Sequence, residues 1–597
     1  MNSQSLKRAS VQVWTLADSY SFIATFMRRQ YTSSSAETIP STSSSKSQRA
    51  SSASARTQPL ARRQFHDYFV THLPVSSLHP DSRAPTGPHH KLPRSASTPY
   101  SPGETPGPSP AAFQAPVGVS RETTVVRIPL RSAKHHFGVS AARGTRPTNE
   151  DTYQAGVIDI PAFAKRAPQS LTITKDRKEP GEGAVAQGTT GDPQVFYFGI
   201  FDGHGGTECS DFLRDHLHEY IQDAAVEFEL QSSLKKRVGG NFMRGIGRQK
   251  SGFGQGDFDH GIPVDLPIIQ GANRRNIGEL EKALVSNWKD LVGGYFRRFR
   301  PHHFAYFGES ELGGGVVGEL EKITASGSSI EEVLEYAFLK ADLDFITAQT
   351  SKQGDDLALA ERPLNERDIL HSPAIIRNVA IGGTRRFKGG STCSIAMIST
   401  PSPTPFWNPS APSSLVVSHV GDTRILLCST ETGLAIPLTT DHHPSSPVES
   451  NRLRRYAHSF MTDSFGEERI DGLANTRAFG DLQSKRLGVS AEPEIRRVEM
   501  RPAEYSFLVL MSDGVSGTLK DQEVVDIIKE AKTPDQGARD VVSFATEVSN
   551  DGDNATCLVI RLGGWERRLE GGLGSLGTKE ERDWRRQEAA NPRLHRQ

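Results

Sequence analysis

The sequence predicts an α+β protein built on stacked sheets. Three observations carry that expectation. Short apolar runs rich in β-branched and aromatic residues recur at 195–201, 393–399, 505–511 and 554–562, each of strand length and bounded by turn-forming residues. Stretches with helical spacing stand apart from them, at 207–230, 329–349, 521–531 and 534–550. Strands therefore cluster with strands, and the regular strand–helix alternation of a parallel sheet is missing.

Composition narrows the class. Lysine plus arginine equals aspartate plus glutamate at 70 each in 597 residues, so net charge argues for neither nucleic acid nor an anionic membrane surface as a partner. Cys209, Cys393, Cys428 and Cys557 lie far apart and form no CxxC pair. That speaks against a structural zinc site or a disulfide framework, and for a reducing compartment. No apolar run reaches about eighteen residues, so no transmembrane segment is expected.

Residues 1–31 carry Lys7, Arg8, Arg28 and Arg29 among serines and threonines, with Asp18 as the only acid before Glu37. An arginine- and serine-rich, acid-poor start is the composition of a mitochondrial transit peptide, and RRQYTSS (28–34) has the look of a cleavage region. A disordered basic tail is the plainer alternative. From 32 to 120 serine, threonine and proline dominate, so this stretch is expected to be an unstructured linker that buries too little apolar surface to offset its ordering entropy. Order is expected from 123, where TTVVRIPL and HHFGVSAARG alternate as strands do, and 159–193 is expected to be a surface loop.

After the strand at 195 comes a helix over 207–230, with Phe212, Leu213, Leu217, Tyr220 and Ile221 on one side. Residues 231–329, rich in glycine and arginine, read as a partly helical insertion without a core of its own, decorating the surface. Its basic patches, RVGGNFMRGIGRQK and YFRRFRPHH, are more simply solvated faces than docking sites. Strands resume with CSIAMIS, SLVVSHVGDTRILLCS, LAIPLTTDHHP and YSFLVLMSDG, helices start at Asp521 and Pro534, and NATCLVIRL is the last strand. The charged tail over 566–597 reads as unpacked.

The chemistry gathers at strand ends. VFYFGIF runs into Asp202, Gly203, His204, Gly205 and Gly206, which join a carboxylate, an accessible carbonyl and an imidazole within three residues. Alone this is an Asp-Gly turn beside a solvated histidine. A second buried strand also ends in Asp-Gly at Asp513, and Asp553 precedes a third. Glu150-Asp151 follows Arg146, whose guanidinium forms a natural phosphate fork, and Asp422 lies in HVGDTRILL. Carboxylates held at the ends of rigid strands suit hard cations such as Mg²⁺ or Mn²⁺.

The pieces RPTNED, FGIFDGHGG, KGGSTCSIAMI, HVGDTRILL, TTDHHP, LANTRAFGD, MSDGVSG and DGDNATCLVI, in this order over 137–562, resemble the metal-dependent serine/threonine protein phosphatases of type 2C, including their mitochondrial, fungal-type members. The resemblance implies one phosphatase domain over 123–565, with two central antiparallel sheets flanked by helices in four layers. It implies hydrolysis of phosphoserine and phosphothreonine in proteins by a water bridged between two metal ions, Mg²⁺ or Mn²⁺. In that scheme Asp202 bridges the ions, Asp513 and Asp553 complete the first, and the Gly203 carbonyl and Glu150 serve the second. Arg146 holds the phosphate, His204 protonates the leaving group, and Asp422 belongs to a weaker third ion. Gly390, Ser391, Thr392, Asp441 and Asp481 are expected to be scaffold. The partner implied is a phosphoprotein, and the mitochondrial branch points to the phosphorylated pyruvate dehydrogenase complex.

Two departures stand out. Gly517 occupies a position where many relatives carry an acid, which weakens the third site, and the interval from His204 to Gly390 is much longer than in compact relatives. A catalytically silent relative acting as a binding protein is the main alternative, and its sign would be loss of metal-site acids. Glu150, Asp202, Asp513 and Asp553 are all present. Hydrolysis of small phosphorylated metabolites is a further alternative. DGDNATCLVIRL fails as a calcium loop because Thr556 stands where an EF-hand needs glycine, and SGFGQGDFDHG lacks the preceding strand of a dinucleotide fingerprint.

Overall fold

The computed structural model describes residues 65–66, 68–74, 97–99, 123–129, 136–165, 184–185, 192–234, 271–304, 329–352, 381–383, 385–454, 460–462, 468–470, 472–549, 552–568 and 575–590. The expected transit peptide, most of the expected linker, the patch RVGGNFMRGIGRQK and the stretch SGFGQGDFDHG lie outside these residues. The strands are β1 (Tyr68–Pro74), β2 (Ser97–Pro99), β3 (Thr123–Pro129), β4 (Phe137–Ala142), β5 (Thr152–Ile158), β6 (Ala184–Val185) and β7 (Val195–Phe201). Then come β8 (Gly203–His204), β9 (Gly390–Ser391), β10 (Cys393–Ser399), β11 (Ser413–Val420), β12 (Arg424–Ser429) and β13 (Ala435–Pro437). The last are β14 (Phe460–Thr462), β15 (Glu468–Ile470), β16 (Phe479–Gly480), β17 (Glu494–Met500), β18 (Tyr505–Met511) and β19 (Ala555–Arg561). The helices are α1 (Glu208–Glu227), α2 (Gly271–Leu291), α3 (Ile330–Thr350), α4 (Pro447–Leu453), α5 (Asp513–Ser516), α6 (Asp521–Glu530), α7 (Pro534–Val548) and α8 (Ser575–Ala589).

Contacts divide the chain into two compact units, one of Met1–Arg62, Val70–Arg127 and Arg177–Ala184, the other of Arg63–Phe69, Ile128–Asp176 and Val185–Gln597. A four-stranded sheet in the order β2-β3-β1-β6 belongs mainly to the first. The second holds two five-stranded sheets, ordered β17-β11-β10-β7-β5 and β13-β12-β18-β19-β4, with antiparallel neighbours throughout.

Period-two alternation sorts each strand between two layers. In β7, Phe196, Phe198 and Ile200 enter the core shared with Ile398, Leu415, Leu508, Leu510, Leu558 and Ile560, which lies between the sheets. Val195, Tyr197 and Phe201 face the opposite way, into the core shared with α1 and α3. On the second sheet Leu426, Phe507, Val509, Met511 and Val559 pack against α6 and α7. The order is helices, sheet, sheet, helices, as expected from the family resemblance. Each fully buried leucine, isoleucine or phenylalanine in these cores contributes roughly 1.5–3 kcal/mol. Ser329 caps α3 by accepting from the Glu332 amide at 3.2 Å, and Thr533 caps α7 by accepting from the Gln536 amide at 3.2 Å, with Pro534 as its first residue.

Four expectations need correction. The serine- and proline-rich linker contains β1 and β2, and just before β1 Phe65 stacks near His218 at 4.4 Å while His66 exchanges main-chain hydrogen bonds with Val157. Phe69 is buried, its ring 5.1 Å from Trp407. The aromatic run at 65–70 is too short to register against the polar average of its surroundings. The expected surface loop at 159–193 begins by burying Ile160, Ala162, Phe163 and Ala164, whose amides at 162 and 163 donate to Asp192 and Ser399. The insertion at 231–329 is not mere surface decoration, because its described part enters the core. Trp288 stacks on Phe296 at 4.4 Å and donates from Nε1 to the Leu339 carbonyl of α3, and Glu335 accepts from the amides of His302 and His303. The charged tail forms α8, which docks through Arg582–Glu530 at 2.8 Å and Arg585–Glu523 at 2.7 Å and lays Arg586 over the Phe544 ring. Its packing surface is the aliphatic stems of arginines, which a hydropathy pattern does not register.

If the insertion is part of the core, Trp288→Ala should cost about 3–5 kcal/mol in denaturant unfolding. A loss within about 0.5 kcal/mol, the range of ordinary surface substitutions, would contradict that packing.

Candidate metal centre and active site

Main-chain pairing brings the strand ends together. Asp202 follows β7, and its carbonyl accepts from the Thr392 amide at 2.9 Å and from Ser391 Oγ at 3.0 Å. Ser391 Oγ also donates toward its neighbour's carbonyl, so this buried hydroxyl is structural, as expected, and Gly390 and Thr392 are buried beside it. Asp513 follows β18 at the start of α5, and its amide donates to Asp202 Oδ2 at 3.3 Å. Asp422 lies in the turn between β11 and β12. Oxygens of Asp202, Asp422 and Asp513 all lie within 4.8 Å of one another.

Crowding shows in their electrostatics. Burial, then the charges of Asp513, Asp151 and Asp422, push the Asp202 carboxyl well above the usual range. Burial and the Asp422 charge push Asp513 up to about 7. Asp422 is the exception, because His443, with Nε2 at 3.3 Å, outweighs the effect of burial and holds its carboxyl low. Three carboxylates with no thiolate among them suit a hard, oxygen-preferring divalent cation, whose charge would relieve the repulsion. Gly517 ends α5, donating to the Asp513 carbonyl at 2.7 Å, and Asp422 joins the cluster despite the acid missing there.

The other expected ligands are positioned differently. Asp553 forms an ion pair with Arg146 at 2.7 Å, and its charge acts on Asp513, but it is outside the three-carboxylate cluster. Glu150 is outside it too, its main chain held where its amide donates to Asn554 Oδ1 at 2.8 Å and its carbonyl accepts from Ser210 Oγ at 2.7 Å. Asn554 also donates to the carbonyls of Arg143 and Thr148, closing the loop that carries Arg146. Gly203 packs so tightly that a Cβ there would meet the Glu150 carbonyl at 2.6 Å. Asp151 is buried, with Oδ2 accepting from Ser512 Oγ at 2.8 Å and its carboxyl raised chiefly by burial.

His204 points Nε2 at both oxygens of Asp481, at 2.8 and 3.0 Å. Burial disfavours its cation, but the Asp481 hydrogen bond and charge outweigh burial and leave its pKa raised. The sequence assigned Asp481 only a scaffold role, and this contact with His204 was missed. The visible signal was an acid closing the motif LANTRAFGD. Asp441 does behave as scaffold, 3.4 Å from Arg424, which also grips Asp521 through two bonds.

The family model described as Protein phosphatase 2C matches residues 330–553. Protein phosphatase 2C homolog 4 of Schizosaccharomyces pombe is 30% identical over 446 residues, covering 74% of this chain and 84% of that protein. Protein phosphatase 1K, mitochondrial, of Xenopus laevis is 38% identical over 152 residues, 25% of this chain and 40% of that one. Probable protein phosphatase 2C 44 of Oryza sativa subsp. japonica is 37% identical over 148 residues, 24% of this chain and 44% of that one.

The crowded acids set a pH signature. A carboxyl whose folded pKa lies above its unfolded value binds its proton more tightly in the fold, so its contribution is lost as pH rises from about 4 toward the folded value. For Asp513 that window closes at about 7. In EDTA, wild-type melting temperature should fall more steeply across this window than that of Asp513→Asn, and Mn²⁺ should raise it most near neutral pH. Parallel wild-type and variant profiles would contradict the crowding.

Proposed function

The chain belongs to the protein phosphatase 2C family, and from that premise we propose that it hydrolyses phosphoserine and phosphothreonine in proteins, with Mg²⁺ or Mn²⁺ held at the acidic cluster. The observation that carries this reading is the convergence of Asp202, Asp422 and Asp513 within 4.8 Å. When bound, the cations supply an activated water and neutralise charge on the phosphoryl oxygens.

In this reading Asp202 would serve two ions, Asp513 and Asp553 would help hold the first, the Gly203 carbonyl and Glu150 the second, and Asp422 a weaker third. Arg146 receives the phosphate through a two-pronged guanidinium contact, for which it exchanges its present ion pair with Asp553. His204 gives a proton to the departing serine or threonine oxygen, which is too basic to leave unaided. The Asp481 contact supports that role, because its hydrogen bond and charge outweigh burial and raise the pKa of the imidazole, favouring the proton-carrying form.

The proposed location is the mitochondrion, with the phosphorylated pyruvate dehydrogenase complex as candidate substrate. The basic, acid-poor first 31 residues support it, as does similarity to a relative whose name includes "mitochondrial". A fluorescent fusion of residues 1–60 should be imported and shortened, and an unprocessed cytosolic fusion would refute the location.

For the activity, turnover of a phosphoserine peptide should vanish in EDTA and return with Mn²⁺, while sugar phosphates should react poorly. Full turnover after exhaustive chelation would overturn the metal-dependent reading.

A further inference from the structure

The contact between His204 and Asp481 arises from a three-stranded ribbon in the order β16-β9-β8. Its centre is Gly390, which pairs with His204 on one side and with Gly480 on the other. Side chains two strands apart do not ordinarily touch, because each strand step is about 4.8 Å. Here the central strand offers no side chain. A Cβ on Gly390 would lie 2.4 Å from Asp481 Oδ2 and 2.3 Å from the Phe479 carbonyl, in space the Asp481 carboxylate already occupies.

The backbone at Asp481 is unusual in a way that serves this contact. Its φ is +47°, a left-handed conformation that L-residues other than glycine, asparagine and aspartate seldom adopt. Strain of this kind persists only where the surroundings enforce it. Those surroundings include the Asp481 amide donating to the Gly389 carbonyl at 2.9 Å and the Gly480 amide donating to Asp342 Oδ1 at 2.9 Å. Asp342 in α3 is fully buried and pairs at 2.5 Å with the fully buried Lys485, which also donates to the Ala478 carbonyl at 2.7 Å. The pair grips the segment on both sides of Phe479 and thereby sets the direction of the Asp481 carboxylate.

We propose that Asp481 is a positioning residue for His204, occupying Nε2 so that the ring presents Nδ1 to the leaving oxygen of a phosphoprotein. The inference rests on the reading of His204 as general acid. As the phosphorus–oxygen bond breaks, its electron pair passes to the serine or threonine oxygen, which takes the proton from Nδ1. Asp481 does not touch the substrate and keeps its own charge throughout. The carboxylate's two short contacts at 2.8 and 3.0 Å leave the imidazole a single ring orientation and a single free nitrogen.

The test compares a phosphoserine peptide with nitrophenyl phosphate, whose leaving group departs without a proton, at saturating Mn²⁺ in the full chain. Asparagine tolerates the backbone at 481, so Asp481→Asn should keep its melting temperature and its Mn²⁺ affinity. It should lose kcat on the peptide by on the order of 10²-fold with KM little changed, and lose far less on nitrophenyl phosphate. In a His204→Gln background it should cost nothing further. Asp481→Gly, suited to the same φ, should recover peptide turnover when formate is added, which a purely structural defect would not do. Equal losses on both substrates, or a full additional loss in the His204→Gln background, would overturn the inference. If His204→Gln itself loses equally on both substrates, the general-acid reading falls and this inference with it. If His204→Gln separates the substrates and Asp481→Asn does not, only the inference falls.

Discussion

Everything at the acidic cluster depends on β7 and β18 packing across the core between the sheets. Phe196, Phe198 and Ile200 of one strand share that core with Leu508 and Leu510 of the other. Period-two alternation leaves no freedom to slide by one residue, since a single step would turn the rings of β7 away from the inter-sheet core. With register fixed, the ends of both strands arrive together, with Asp202 immediately after β7 and Asp513 beyond the end of β18 with one residue between. The Asp513 amide then donates to Asp202 Oδ2. Hydrophobic burial thus holds carboxylates together against their mutual repulsion.

That repulsion is a local cost set against a large core. Carboxylates with raised pKa values in one small volume are a conflict that a fold retains where chemistry needs it. The strain at Asp481 belongs to the same category: a residue in left-handed backbone beside a buried ion pair, one bond from the imidazole. The carboxylates are at the ends of β7 and β18, whose middles are buried and apolar, so rigidity is adjacent to the place that uses it.

The parts that were legible in the sequence share one physical property. Central strands β7, β10, β11, β18 and β19 are buried on both faces, and each carries an apolar stretch that the sequence shows. Strands β5 and β17 passed unnoticed because they form the two edges of their sheet, where half-exposed positions take polar residues such as Gln154, Arg496 and Arg497. Of the cluster's acids, Asp202 and Asp513 were legible as Asp-Gly strand exits. Which of them meet was not, because Asp422, Asp553 and Glu150 come from loops whose final placement depends on contacts such as those of Asn554. Nor could Asp481 be tied to His204, since their meeting requires a glycine in an intervening strand far away in the chain.

The central claim is that strand-end carboxylates form a divalent-cation centre, and locating the cation tests it most directly. Crystals grown with Mn²⁺ and measured at the manganese absorption edge should show anomalous peaks bonded to Asp202 and Asp513 oxygens at about 2.0–2.3 Å, the range of hard-cation coordination. Anomalous density confined to other acids, with none at Asp202, would contradict the account.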